Sequence, residues 1–210
     1  MANSTMYKVI RAIGKPLFHL VFRPTIVNRD VIPAEGAVLL CGNHKHALDP
    51  ILVDICTKRI VRTLAKKDLF DGPFGFVFEG VRCIPVDLHQ KKNPKAYDEA
   101  LNSLRGGEVV NISPEAKRNF TEEILLPFKY GAVSMAYKTN TKIIPYSITG
   151  DYKLIGGKLK IEFGNAITIS EDLTNSNERL YNAIGDLITK NLDGDTLANK
   201  HFTKFSDWEK

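Results

Sequence analysis

Apolar residues never run on for long in this 210-residue chain: the longest stretches reach about five, as at 37–41. A transmembrane helix needs about 18, so none is expected. The opening residues hold no continuous apolar segment either, and no secretory leader is expected. Cysteine is scarce. Cys41, Cys56 and Cys83 form an odd, widely spaced set, which points to reduced, buried thiols in a cytosolic protein rather than a disulfide framework. No Gly-x-x-x-x-Gly-Lys and no Gly-x-Gly-x-x-Gly occurs, which disfavours a P-loop or Rossmann nucleotide site, and no Gly-x-Ser-x-Gly nucleophile elbow is present. The net charge of +5 comes without a helix-turn-helix, zinc-finger or RNP signature, so nucleic acid is not an expected partner. What is present is ordinary globular composition, 43% hydrophobic and 25% charged, which rules out a disordered or fibrous chain. The length suits one domain, with a core large enough to fold without disulfides or metal.

Acid is missing altogether from residues 1–29, where Lys8, Arg11, Lys15, Arg23 and Arg29 are the charges. Met6, Val9, Ile10, Ile13, Leu17, Leu20 and Val21 recur there at helical spacing. This pattern predicts a basic amphipathic helix over 6–23, with Pro16 as a kink or break. Two readings fit it: a helix lying in an anionic membrane surface, and a terminal helix packed on the protein's own core. A second basic stretch, Lys58, Arg59, Arg62, Lys66 and Lys67, suits phosphate head groups, an acidic carrier protein or a nucleotide, and equally suits a solvated face.

Further along, apolar runs and helical periods alternate. Strands are expected at 37–41, 61–65, 81–86, 109–112 and 142–148, and helices at 49–57, 94–105, 129–138 and 177–191. Asp49-Pro50 reads as N-cap and first helical residue. The segment 68–80, with Phe70, Phe74, Phe76 and Phe78, reads as a loop or short helix. Gly156-Gly157 between 152–155 and 158–163 is a hairpin signal. The alternation predicts a single α/β domain, a mixed and mostly parallel sheet flanked by helices. The expected division is an amphipathic segment at 1–24, the main domain at 25–192 and a polar tail at 193–210.

The chemistry concentrates just after two strands. In Cys41-Gly-Asn-His-Lys-His-Ala-Leu-Asp-Pro50, one turn of chain can bring Asp49 to an imidazole nitrogen of His44, fixing the tautomer and leaving the other nitrogen as a base. Equally, Asp49 can be no more than a helix cap and His44 a polar loop residue. His44 and His46 alone are too few ligands for a metal, and His19, His89 and His201 stand in no paired context, so no metal is expected. In Ile112-Ser-Pro-Glu-Ala-Lys-Arg118, Glu115, Lys117 and Arg118 cluster, and Arg118 can bind a phosphate bidentately. A His/Asp base without a serine nucleophile suits direct attack by a substrate hydroxyl.

These residues resemble the glycerolipid acyltransferases, in particular the 1-acyl-sn-glycerol-3-phosphate acyltransferase family. Asn43-His44-x-x-x-x-Asp49-Pro50 is similar to that family's first motif, Ala65-Lys-Lys-Asp-Leu-Phe70 to its basic segment, and Gly80-Val-Arg-Cys-Ile-Pro-Val-Asp87 to its second motif. Ser113-Pro-Glu-Ala-Lys-Arg118 resembles the third, usually Phe-Pro-Glu-Gly-Thr-Arg, and 128–132 and 143–150 resemble the downstream segments. The resemblance covers about 7–165. It implies a base at His44 oriented by Asp49. It also implies acceptor binding through Lys66, Lys67, Asp87, Glu115, Lys117 and Arg118.

The implied reaction is acyl transfer from acyl-carrier protein or acyl-CoA to a lysophosphatidate, giving phosphatidate, with no cofactor. The implied location is the cytoplasmic face of the cell membrane, with residues 6–23 and the phenylalanine cluster facing lipid. Two departures stand out. Leu88 occupies the position of a phosphate-binding arginine, and Ala116-Lys117 replaces Gly-Thr. Lys117, Arg82 and Lys91 are the candidates to restore the charge; the alternatives are an acyltransferase for another lysolipid acceptor and a lipid-binding member of the same fold with reduced turnover.

Overall fold

The computed structural model describes residues 4–90 and 92–208. Its backbone is one sheet of seven strands: β1 (Thr25–Val27), β2 (Val38–Gly42), β3 (Val61–Lys66), β4 (Ile84–Val86), β5 (Val109–Ile112), β6 (Ile143–Thr149) and β7 (Lys160–Phe163), in spatial order β1-β7-β6-β2-β5-β3-β4. Strands β6, β2, β5, β3 and β4 are mutually parallel, whereas β7 runs antiparallel to β6. The expected α/β class and mixed, mostly parallel sheet are therefore what the chain forms.

Strand β2 is central and wholly buried. Its side chains alternate between two cores, as the two-residue period of a strand requires. Val38 and Leu40 point to the layer of α1 (Ser4–Phe22) and α2 (Asp49–Ile55), and Leu39 and Cys41 to the layer of α4 (Pro94–Arg105), α5 (Gly131–Thr139) and α6 (Leu173–Asn191). Burial raises the thiols of Cys41, Cys56 and Cys83, and all three are free.

Helix α1 runs through Pro16 without a break, so the expected interruption is absent. Its inner face joins the core. Tyr7 and Phe18 are buried, the Tyr7 hydroxyl bonds Asp54, and Arg11 donates to the carbonyls of Arg59 and Asp54, each at 2.9 Å. Met6 fills the space over Gly80 at the end of α3 (Gly75–Gly80), which forms within the phenylalanine segment. The opposite face of α1 leaves Val9, Ile13, Leu17 and Leu20 each more than half exposed. One face of this helix is thus packed on the protein's own core, and the other is apolar and open. Among the described residues no helix is long and apolar enough to cross a membrane.

Four local expectations differ from the structure. Residues 152–155 form no strand: β7 pairs with β6 instead, and 150–159 is a loop whose turns use Gly150 and Gly156 at positive φ. The expected strand at 81–86 shrinks to β4 because Arg82 is left-handed (φ 61°), which ends α3 in a turn. Strand β1 escaped notice: three residues paired to a distant strand carry no periodicity of their own. Helix α6 begins earlier than expected, where the Asp172 side chain accepts from the N–H of Asn175 at 2.9 Å. Beyond Asp193 the chain forms α7 (Gly194–Ala198) and then returns to the core, with Phe205 buried and the Trp208 indole donating to the Tyr181 hydroxyl.

Candidate active site

Because β6, β2, β5, β3 and β4 are parallel, the segments that follow them all emerge at one edge of the sheet. Open parallel sheets place their sites at this carboxyl edge. The segments there are 43–49 after β2, 113–118 after β5, 67–70 after β3, 87–90 after β4 and 150–158 after β6. The first three motifs and the basic segment 65–70 therefore all reach the same rim.

The centre of the rim is a buried carboxylate. Asp49 is not an N-cap as expected: it is the first residue of α2, and the capping position, Leu48, makes no side-chain bond. The Asp49 carboxylate turns back over the preceding loop instead. Its Oδ2 accepts from the His44 imidazole Nδ1 at 2.9 Å and from the backbone N–H groups of Lys45 and His46, each at 2.8 Å. Its Oδ1 accepts from the Tyr152 hydroxyl at 2.6 Å. With Nδ1 donating to Asp49, Nε2 of His44 is the acceptor nitrogen, and it has no hydrogen-bond partner among the described residues. The His44 side chain is 26% exposed against 3% for Asp49, so the pair has a dry end and a reachable end.

Asn43 and Glu115 fix the loop that carries His44. The buried Asn43 side chain bonds both backbone groups of Ile148, at 2.7 and 2.9 Å, pinning the end of β2 to β6. Glu115 accepts from the N–H of His44 at 3.0 Å with one oxygen and from that of Leu126 at 2.9 Å with the other. The His44 carbonyl in turn accepts from the Asn119 N–H at 2.8 Å. The third-motif loop and the His44 loop thus hold each other. Ala116 lies inside this loop with φ 57°, a left-handed conformation that favours glycine, which is the residue the resembling family usually has there.

The other expected ligands lie further along the rim. Lys117 lines an open cavity of about 440 Å³ with Glu115, Ala116, Pro127, Phe128 and Lys129. Arg118 is exposed, its guanidinium 5.2 Å from the Phe120 ring centroid. Lys66 pairs with Asp68 at 2.5 Å, and Lys67 is exposed beside it. Asp87 organises its own turn, accepting from the N–H of His89 and the amide of Gln90, with Leu88 half exposed at its tip. At about 4.8 Å per strand, β3 and β4 stand roughly 10 and 14 Å from β2. Lys66, Lys67 and Asp87 therefore leave the sheet two and three strands from β2, whereas Glu115 bonds the His44 loop directly and Lys117 follows in the same segment. Arg82 is bound to Glu108 at 2.8 Å, and Lys91 lies outside the described residues. The histidine at 46 does not face an open ligand site: its Nδ1 accepts from the Leu48 N–H, and its ring stacks on Tyr152 with centroids 4.4 Å apart. Lys129 falls in the downstream segment 128–132, to which the sequence assigned no role. Tyr152 lies in no motif spacing and is 103 residues from its partner.

With this geometry in place, the comparisons are specific. The acyltransferase family model matches residues 23–149. The chain is 27% identical to the probable 1-acyl-sn-glycerol-3-phosphate acyltransferase of Mycoplasma genitalium, over 95% of this chain and 75% of that protein. It is 33% identical to the 1-acyl-sn-glycerol-3-phosphate acyltransferase of Helicobacter pylori over 65% of this chain and 60% of that one, and 30% identical to that of Borreliella burgdorferi over 59% and 50%. The chain thus spans between half and three quarters of the length of these relatives. The crystal structure of the 1-acyl-sn-glycerophosphate acyltransferase from Thermotoga maritima shares the fold, with a TM-score of 0.68 at 21% identity over 88% of this chain and 78% of that one. The chain belongs to the acyltransferase family.

Burial raises the Glu115 carboxyl from an ordinary 4.5 to about 7. The N–H groups of Leu126 and His44 and the nearby imidazole pull it down, and the Asp49 charge pushes it up. The folded state therefore holds a proton that the unfolded chain releases near pH 4.5. Its contribution to stability is complete below that pH and is lost as pH rises towards 7, on the order of 3 kcal/mol in all. Denaturant unfolding between pH 5 and 7.5 is expected to show this fall in the wild-type protein and a flatter profile in Glu115→Gln. Equal slopes in the two proteins would count against this assignment.

Proposed function

We propose that this protein moves a fatty acyl group from acyl-carrier protein or acyl-CoA to the free hydroxyl of a lysophosphatidate, giving phosphatidate, at an anionic membrane surface on the cytoplasmic side of the cell membrane. The observation that carries this reading is the His44–Asp49 pair, with a buried carboxylate on Nδ1 and a free Nε2 at the carboxyl edge of a member of the acyltransferase family. The names of its relatives supply the acceptor class.

The chemistry follows from the free nitrogen. Nε2 takes the proton of the acceptor hydroxyl as its oxygen attacks the thioester carbonyl. Asp49 holds the ring and stabilises the imidazolium that forms. When the tetrahedral adduct collapses, the C–S bond breaks, the C–O ester bond remains, and the imidazolium returns its proton to the departing thiolate. No serine or cysteine bonds the imidazole among the described residues, which favours direct transfer over an acyl-enzyme. With His44→Ala, turnover is expected to fall by about 10²–10⁴ while the melting temperature stays close to wild type, measured with acyl-CoA or acyl-carrier protein and a panel of lysolipids, products identified by mass. Near wild-type turnover in that variant would remove the base.

The acceptor phosphate is assigned to the cavity next to Glu115, where Lys117 and Lys129 supply two cations and Arg118 adjoins. This compensates for the leucine at position 88. Substituting Lys117 and Lys129 together by alanine is expected to raise KM for a phosphate-bearing acceptor about tenfold, with kcat little changed, as loss of ground-state binding does. An unchanged KM places the phosphate elsewhere.

The membrane part of the proposal draws on the outer face of α1. Val9, Ile13, Leu17 and Leu20 form an exposed apolar stripe along a helix free of acid, and Phe74 and Phe76 are exposed on and beside α3, against which α1 packs. Basic residues add about 1 kcal/mol each at an anionic surface, and this part fades as salt rises. Sedimentation with anionic vesicles is expected, weaker with neutral ones and partly reversed by high salt. The variant Ile13→Asp/Leu17→Asp is expected to stay folded and in the supernatant. Equal sedimentation of that variant means lipid meets another surface.

A further inference from the structure

Tyr152 touches both the His44–Asp49 pair and the C-terminal end of α1. Its hydroxyl donates to Asp49 Oδ1 at 2.6 Å, on the oxygen opposite the one that holds His44. Its ring stacks flat on His46, with centroids 4.4 Å apart, and meets Phe18 and Phe22 of α1 edge-on, with centroids 6.3 and 5.6 Å apart. The loop that carries it is fastened to the same His44–Asp49 segment, since the Lys45 ammonium bonds the Gly150 carbonyl and lies 3.6 Å from the Asp151 carboxylate. Burial, followed by the charge of Asp49, raises the phenol well above its ordinary value, so it stays a neutral O–H donor.

A carboxylate held on one oxygen alone can rotate about its Cβ–Cγ bond. Three donors converge on Oδ2 from the segment 44–46, and among the described residues only Tyr152 holds Oδ1. The Tyr152 hydroxyl therefore fixes the plane of the carboxylate and with it the direction of the imidazole. Small errors in such geometry cost large factors in rate. The packing of Phe18 and Phe22 in turn fixes the Tyr152 ring.

We propose that Tyr152 is a positioning residue for the His44–Asp49 pair, seated by α1, so that the helix bearing the exposed apolar stripe also sets the aim of the base. The kinetic part of this proposal rests on the acyl-transfer reading, whereas the bond to Asp49 and the contact with α1 do not.

The decisive variant is Tyr152→Phe, which keeps the ring and its aromatic contacts and removes only the hydroxyl. With vesicle-bound lysophosphatidate and acyl-CoA, kcat is expected to fall about tenfold, the scale of one lost hydrogen bond to a charged group, while KM for both substrates stays within about twofold. Phe22→Leu, at a half-buried position, is expected to lower kcat in the wild-type background and to add little in Tyr152→Phe, because both act on the same hydroxyl. Independently of any substrate, the Nδ1–H resonance of His44 in ¹⁵N-histidine-labelled protein is expected to move in Tyr152→Phe and, to a smaller extent, in Phe22→Leu. A variant that loses melting temperature but keeps kcat and the resonance would overturn the proposal, as would additive losses in the double variant. A wild-type protein that turns over no lysolipid refutes the acyl-transfer reading, and the resonance then decides the role of Tyr152 alone.

Discussion

A buried carboxylate needs hydrogen-bond donors on both oxygens, and Asp49 obtains four from two segments far apart in the chain: the imidazole and two backbone amides of 44–46, and a tyrosine after β6. That requirement organises the rim of the sheet. It folds the His44 loop around the carboxylate and draws the loop after β6 inwards. It also leaves a single imidazole nitrogen facing outwards. The same loop is gripped from its other side by Glu115, whose burial makes a proton there persist to about pH 7. Two carboxyl groups thus support one histidine from opposite sides. One carries its charge to the ring, and the other bonds the backbone beneath it.

Much of this was readable beforehand because the relevant signals are local. Alternating apolar runs announce parallel strands, and the short stretches after them hold the polar residues, so a sheet with its site at the carboxyl edge follows from residues adjacent in sequence. The spacing of His44 and Asp49 is legible for the same reason. The cap reading of Asp49 failed on a point of direction, because a side chain at the first helical residue can reach back as readily as it can cap. Tyr152 was misplaced in a hairpin because Gly156-Gly157 is a local turn signal, whereas the force on Tyr152 is a hydrogen bond to a residue 103 positions away. The cluster expected to bind the acceptor also separates in space. Strand order sets β3 and β4 on the far side of β5 from β2, and no spacing in the sequence encodes that order.

Helix α1 shows why a hydrophobic pattern alone gives two answers. Its inward residues are aromatic, with the Tyr7 hydroxyl bonded to Asp54 and the Phe18 ring edge-on to that of Tyr152, while its outward residues are aliphatic and exposed. A helix apolar on both sides yet charged along its flanks fits two environments by pattern alone, and only its packed side is settled by the fold. The family relationship accounts for the motifs in the body of the sheet, and the aromatic seam between α1 and Tyr152 is where the helix meets them.

The rigid seating of α1 has a geometric consequence. A helix of 19 residues is about 28 Å long, and here it is clamped near both ends, by Tyr7 and Arg11 at one and by Phe18 and Phe22 at the other. Such a helix is a keel rather than a tether. On the membrane docking proposed above, a protein laid on a bilayer along this helix would keep one height and one tilt, free only to spin about the membrane normal and drift sideways. Its search for the proposed lipid acceptor would then be two-dimensional, and every encounter would present the same edge of the sheet to the head groups.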